Sequence, residues 1–203
     1  MKRILLVVII IAVSGITGMA QIPGFSIGPK VGYNSNRLTT NIDSITSEPD
    51  GAFQFGGFMR IGRKTYLQPE VIYVVKGGVL NDVFHGENRS QQIELKSITI
   101  PVLVGVTPMA EKSFNFRLMA GPAFSYVSQK YVKPLDLLSS WPIRSTEDIR
   151  QMLLSLQVGA GIDLWFLTFD VRYEMGFSNI YSGNESLNVR NNLINFGLGI
   201  KFL

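Results

Sequence analysis

Leu167-Thr168-Phe169-Asp170-Val171-Arg172-Tyr173-Glu174-Met175-Gly176-Phe177 is the stretch that decides the fold. Leu167, Phe169, Val171, Tyr173, Met175 and Phe177 alternate without a slip with Thr168, Asp170, Arg172, Glu174 and Gly176. A period of two puts every apolar side chain on one face of an extended strand and every polar one on the other. The run is long for a globular strand, and its polar face carries three charges.

The same alternation recurs seven more times. Towards the C-terminus, Ile194, Phe196, Leu198, Ile200 and Phe202 interleave with Asn195, Gly197, Gly199 and Lys201. Immediately before, Leu156, Val158, Ala160, Ile162 and Leu164 interleave with Gln157, Gly159, Gly161 and Asp163. Earlier runs set Phe114, Phe116, Leu118, Ala120, Phe124 and Tyr126 against Asn115, Arg117, Gly121 and Ser125. Three more begin at Phe25 (polar Ser26, Lys30, Asn34), Phe53 (polar Gln54, Arg60) and Leu67 (polar Gln68, Glu70, Lys76). In the run from Ile93, Ile93 and Leu95 share one parity and Ile98, Ile100, Val102 and Val104 the other. That switch predicts a bulge near Lys96-Ser97.

The connections alternate in length. Long links lie near Leu38–Gly51, Gly77–Gln91, Gln129–Leu153 and Asn179–Arg190, and short ones near Gly62–Lys64, Thr107–Ser113 and Trp165–Phe166. Such alternation is expected of an all-β, eight-stranded antiparallel up-and-down barrel threaded through a membrane, with short periplasmic turns and long extracellular loops. Hydrocarbon offers no partner to backbone N–H and C=O groups, so strands span it only as a closed ring. A strand of about ten residues tilted by ~40° covers the ~25 Å apolar band.

Composition agrees. Only 17% of residues are charged and no cysteine is present, and the mean hydropathy is +0.20. Without cysteine there is no disulfide framework and no thiol-based metal or redox site. Lys2-Arg3, the apolar Ile4–Val13 and the small-x-small Gly18-Met19-Ala20 predict a cleaved signal peptide over residues 1–20, leaving 21–203 as the barrel domain. Setting aside Lys2 and Arg3 leaves 17 basic residues against 15 acidic ones, too small an excess to indicate nucleic acid.

A soluble lipocalin-like barrel also alternates, but turns its apolar side inward. Here the polar face is rich in Gly, Ser, Asn and Gln and includes Lys30, Arg60, Glu70, Lys76, Arg117, Asp163, Asp170, Arg172, Glu174 and Lys201. Six bases and four acids are suited to pairing across a narrow, filled lumen, where buried charge needs a partner. Tyr33, Tyr73, Tyr126 and Phe177 near the loop ends, and Phe25, Phe114 and Phe202 near the turn ends, predict two aromatic girdles.

Several segments resemble the outer membrane protein β-barrel domain family that includes the PorT-like proteins. They are Leu67-Gln68-Pro69-Glu70 with Tyr73 and Lys76-Gly77, Ile100-Pro101-Val102-Leu103, Ala120-Gly121-Pro122, Arg172-Tyr173 with Gly176-Phe177-Ser178-Asn179-Ile180, and the final strand. The resemblance spans the mature chain and implies a barrel in the outer membrane, but no reaction. Through PorT it also raises a place in a protein secretion or gliding-motility apparatus. Leu203 follows Phe202, where a terminal aromatic is the commoner assembly signal in such barrels.

No catalytic constellation is legible. The sole histidine, His85, stands near Asp82, Glu87 and Ser90 in a loop, and nothing in their spacing establishes a triad. Asp170, Arg172 and Glu174 share one strand face and read as ion-pairing residues rather than a paired-carboxylate site. A small pore and a lipid-modifying rim enzyme are the remaining alternatives. The Gln129–Leu153 link, with Trp141 and Arg144 between Pro134 and the Ser145–Arg150 segment, is the leading contact surface, because function concentrates on loops. The sequence thus predicts a non-enzymatic barrel without cofactor. Its expected partners are outer-membrane lipids, the barrel-assembly machinery and an envelope protein met through the loops.

Overall fold

The computed structural model describes residues 24–40, 45–48, 50–84, 87–110, 113–134, 149–180 and 189–202. The expected signal peptide, His85, Trp141 and Arg144 lie outside them. The described residues form nine strands: β1 (Phe25–Thr40), β2 (Ile45–Glu48), β3 (Asp50–Gly62), β4 (Thr65–Phe84), β5 (Glu87–Ala110), β6 (Phe114–Pro134), β7 (Met152–Leu164), β8 (Leu167–Gly176) and β9 (Val189–Ile200). β2 lies on β4 in line with β3, Glu48 opposite Val79 and Gln54 opposite Val74, so the two make one stave.

Every stave pairs antiparallel with its neighbours in sequence, and β9 returns to β1 from Lys30↔Gly199 to Thr40↔Val189. Eight staves therefore close into a ring. At the turn end the seam continues through Ile27↔Phe202, and the Lys201 amide donates to the Phe166 carbonyl at 2.6 Å. Gly62 turns the chain between β3 and β4 with φ of 116°, a conformation open to glycine.

The faces are inverted relative to a soluble barrel. Val31, Phe55, Val71, Val104, Phe124, Val158, Val171 and Phe196 are exposed on the outside, and Phe53 is 79% exposed. Apolar surface continuous around every stave is untenable in water and is what a lipid solvent requires. Tyr33, Tyr126, Tyr173 and Phe177 edge this belt towards the loops, and Trp165, Phe166 and Phe202 edge it towards the turns. Phe25, expected in the turn-end girdle, is buried instead. Tyr33 lies across Gly51, where an added Cβ would come within 1.7 Å of the phenol oxygen.

Two expectations change in detail. The ladder is irregular at Lys96/Ser97, but the extra residue is Ser128 on β6, between Val127↔Ser97 and Gln129↔Lys96. Its hydroxyl donates to the Lys96 carbonyl at 2.9 Å. β5 itself keeps its parity: Ile93, Leu95, Ser97, Thr99 and Leu103 are all buried. Ile93 and Leu95 therefore face inward and join Leu38, Val127, Ile149, Leu153, Ile180 and Val189 in an apolar plug at the loop end.

The strands also outrun the apolar alternation. β4 and β5 stay paired to Phe84↔Glu87, so most of the segment expected as the Gly77–Gln91 loop is ladder. β6 follows them to Gln91↔Pro134 and β2 adds to the other edge at Ile45↔Asp82. Apolar alternation stops where lipid stops, whereas ladder hydrogen bonds form equally well in water. A sheet of β2, β4, β5 and β6 thus projects beyond the belt.

The plug generates a prediction. Leu95→Ala should lower stability by about 2–5 kcal/mol, measured by urea unfolding of the folded protein in vesicles, whereas Thr39→Ala on the exposed rim should change it by less than about 0.5 kcal/mol.

Candidate functional site

The interior below the plug is the most highly organised part of the molecule. Its charged residues come from β1 (Lys30), β3 (Arg60), β4 (Glu70, Lys76), β6 (Arg117), β7 (Asp163) and β8 (Asp170, Arg172, Glu174), all at inward positions. Arg172 and Glu70 meet as a two-pronged pair: Nη1 donates to Oε2 at 2.8 Å and Nη2 to Oε1 at 2.6 Å. Nη2 also donates to Asp170 Oδ2 at 2.9 Å. The Lys30 ammonium bridges the same two acids, 2.5 Å from Asp170 and 3.3 Å from Glu70.

Towards the turns, Arg60 Nη1 donates to Asp163 Oδ2 at 2.7 Å, and Arg117 Nε stands 2.9 Å from Asp163 Oδ1. Arg117 Nη2 reaches up to Asp170 Oδ1 at 2.8 Å. Lys201 lies at the margin, 3.5 Å from Asp163. The Arg60 guanidinium also stacks near the Phe58 and Tyr66 rings, 5.6 and 5.2 Å from their centroids. Towards the loops, Lys76 pairs with Glu174 and donates to Ser125 at 2.9 Å.

Neutral side chains join these groups into one network. Gln68 accepts from Arg60 Nε at 2.7 Å and donates to Glu70 at 2.6 Å. Gln157 and Ser155 each donate to Glu174 at 2.7 Å. These bridges escape the sequence reading, although the inward parity of Gln68 and Gln157 marks them as lumenal. Three ion pairs join staves four places apart in the eight-stave ring, so they cross its full diameter: Arg60–Asp163 (β3 to β7), Glu70–Arg172 and Lys76–Glu174 (both β4 to β8).

Glycine makes room for these long side chains. A Cβ on Gly161 would come within 2.4 Å of Asp170 Oδ1 and 2.7 Å of Arg117 Nη2, and one on Gly197 within 2.6 Å of Lys30 Cε. A void beside Lys30, Glu70, Asp170 and Arg172 is about 20 Å³, room for about one water. No group of three or more metal-ligating side chains occurs among the described residues. Asp170 and Glu174 each meet a lysine, Lys30 and Lys76, and Arg172 meets the carboxylates of Asp170 and Glu70, so the three act as ion-pairing residues.

Comparison with known proteins agrees with this architecture. No curated protein matches the chain in sequence. Neisserial surface protein A is similar in fold at 14% identity and a TM-score of 0.51, covering 88% of this chain and 97% of that one. The outer membrane protein OprG from Pseudomonas aeruginosa aligns at 14% identity and a TM-score of 0.48, covering 88% of this chain and 95% of that one. Ail, the attachment invasion locus protein of Yersinia pestis, aligns at 14% identity and a TM-score of 0.42, covering 88% and 99%. The family model described as outer membrane protein beta-barrel domain matches residues 19–182. With most of its length so matched and its staves closed into a lipid-facing ring, the chain belongs to the outer membrane protein β-barrel domain family and resides in the outer membrane.

Proposed function

We propose that this protein is a non-enzymatic, non-conducting barrel that presents its loop end to a partner in the cell envelope. The filled lumen carries the reading: ion pairs cross the full diameter, the void beside Lys30, Glu70, Asp170 and Arg172 is about 20 Å³, and an apolar plug lies above them. A conducting bore needs a continuous wet path, and neither the salt-bridged layer nor the plug supplies one. The projecting sheet of β2, β4, β5 and β6 supports a contact role, since a strand-built extension holds its surface in fixed geometry.

The charge network is, on this reading, structural. Buried charges hold a fold together only while each has its partner, and a stranded one is strongly destabilising. The network's contribution is therefore specificity: it fixes which face of β1, β3, β4, β6, β7 and β8 turns inward, because the opposite choice would put nine ionic side chains into lipid.

Three outcomes follow. Reconstituted into planar bilayers, the protein should give no sustained stepwise current; stable openings would sink the closed-lumen reading. Lys76→Met strands Glu174 and should cost about 3–5 kcal/mol in urea unfolding, while the double change Lys76→Met with Glu174→Met should recover most of that loss. Because the chain has no cysteine, Tyr131→Cys at an exposed position of the projecting β6 should react with a membrane-impermeant thiol reagent on intact cells. Arg63→Cys in the β3–β4 turn should react only after the outer membrane is broken.

A further inference from the structure

The bases and acids of the lumen do not balance everywhere. Towards the loops, Lys30, Lys76 and Arg172 face Glu70, Asp170 and Glu174, base for acid. At the turn end, Arg60 and Arg117 share Asp163, and Lys201 joins them at the mouth with its side chain 17% exposed. Arg117 also touches Asp170, but that carboxylate already serves Lys30 and Arg172. Among the described residues, Arg60 and Arg117 against Asp163 therefore leave a buried surplus of one positive charge. The surplus comes with unused donors. Arg60 directs Nε to Gln68 and Nη1 to Asp163, and its Nη2 finds no acceptor. Arg117 directs Nη2 to Thr168 and Asp170, and its Nη1 finds none. The Tyr66 ring lies 5.2 Å from the Arg60 guanidinium, and its hydroxyl lies against Arg117 without an acceptor of its own. All three residues are buried, so bulk water does not serve these donors.

Charge and packing together identify what fits. The acceptor nearest these donors, Asp163 Oδ1, is already held 2.9 Å from Arg117 Nε. Guanidinium keeps its proton in proteins, so neither arginine relieves the imbalance by titrating. A buried charge without a counter-charge is costly in a low-dielectric interior. A water would serve the donors but adds no charge. A monovalent anion supplies both the lone pairs and the missing negative charge. The close packing favours a single atom over a carboxylate or a phosphate: the Phe58 ring is 5.6 Å from the Arg60 guanidinium, and a Cβ on Gly105 would come within 2.4 Å of the Tyr66 hydroxyl oxygen. Chloride is the abundant ion of that kind. Its access is from the turn side, past Lys201, where the exposed Arg63 and Lys64 of the β3–β4 turn make the approach positive.

We infer that the turn end of the lumen binds a single chloride ion among Arg60, Arg117 and Tyr66, with Lys201 at its entrance. The ion neutralises the buried surplus and accepts from Arg60 Nη2, Arg117 Nη1 and the Tyr66 hydroxyl. The site lies at the opposite end of the lumen from the loops, so it stands independently of the proposed contact role.

The test uses the full chain folded into phosphatidylcholine vesicles and unfolded in urea, which brings no ion. Sodium chloride replaces sodium gluconate at constant ionic strength, gluconate being too large for the site. An ion bound by the folded state alone raises the folding constant about tenfold for each tenfold rise in chloride above its dissociation constant, and wild type should show that slope. Arg60→Met should abolish it, because Arg117 then balances Asp163 alone, and Arg117→Met should do the same with Arg60 as the remaining base. Tyr66→Phe, which keeps the ring and removes one donor, should weaken chloride binding severalfold. Arg63→Gln with Lys64→Gln, on the exposed turn, should retain the wild-type slope. In wild-type crystals grown with bromide, the anomalous peak should lie within hydrogen-bonding reach of Arg60 Nη2 and Arg117 Nη1, a readout that needs no variant to fold. Wild-type stability indifferent to chloride would overturn the inference and leave water as the partner of these donors. So would bromide bound only elsewhere, and so would a slope that survives in either arginine variant.

Discussion

Hydrocarbon cannot hydrogen-bond, and the architecture follows from that one deficiency. Each backbone amide within the lipid-facing belt must find a partner in another strand, so the first strand must meet the last, as β1 and β9 do from Lys30 to Thr40. A ring of eight staves encloses a bore about as wide as two side chains meeting end to end. Whatever faces inward must then be satisfied by whatever faces it from the other side. The spacing of polar residues along each strand and the pairing of charges across the diameter are thus two results of the same constraint.

The inner and outer surfaces meet different demands. Outside, Phe53, Val71 and Val158 need only be apolar, since lipid adapts its shape to them. Inside, the void beside the ion pairs has room for about one water, and most of the fit is made by the chain. Arg117 occupies volume left free by Gly161, and Lys30 occupies volume left free by Gly197. The narrow interior accommodates five fully lumenal bases because small residues stand next to long ones. The cost of burying those bases is offset by acids that reach them from opposite walls.

Much of this is legible in the sequence, for physical reasons that also set the limit. Leu167–Phe177 declares itself because its two solvents, lipid and lumen, differ so sharply that every residue must choose one. Ile93 and Leu95 mislead for the same reason: they are apolar yet inward, because above the charged layer the lumen is sealed by hydrocarbon side chains. Their parity with Ser97 and Thr99 is the signal of the inward face, and it runs against their hydrophobicity. Strand ends beyond the belt are invisible to a reading based on apolar alternation, since there both faces meet water. Which base meets which acid is also beyond the sequence, because Arg60 and Asp163 are brought together only by stave order around the ring. The Neisserial barrel shares the architecture at 14% identity, as expected when alternation rather than particular residues specifies it.

The pairs that span the bore have a consequence for how the protein comes into being. Lys30 belongs to the first strand, and its two acids belong to the fourth and the eighth. Arg60 and Lys76, from the first half of the chain, find their acids in the second half. Until the two halves curl together, each carries unneutralised charge on the face that must leave water, so a half-built sheet has no comfortable place at the membrane. Only the finished ring cancels those charges. Closing the ring and neutralising the lumen are thereby a single thermodynamic event, and no part of the barrel owns its charge balance alone.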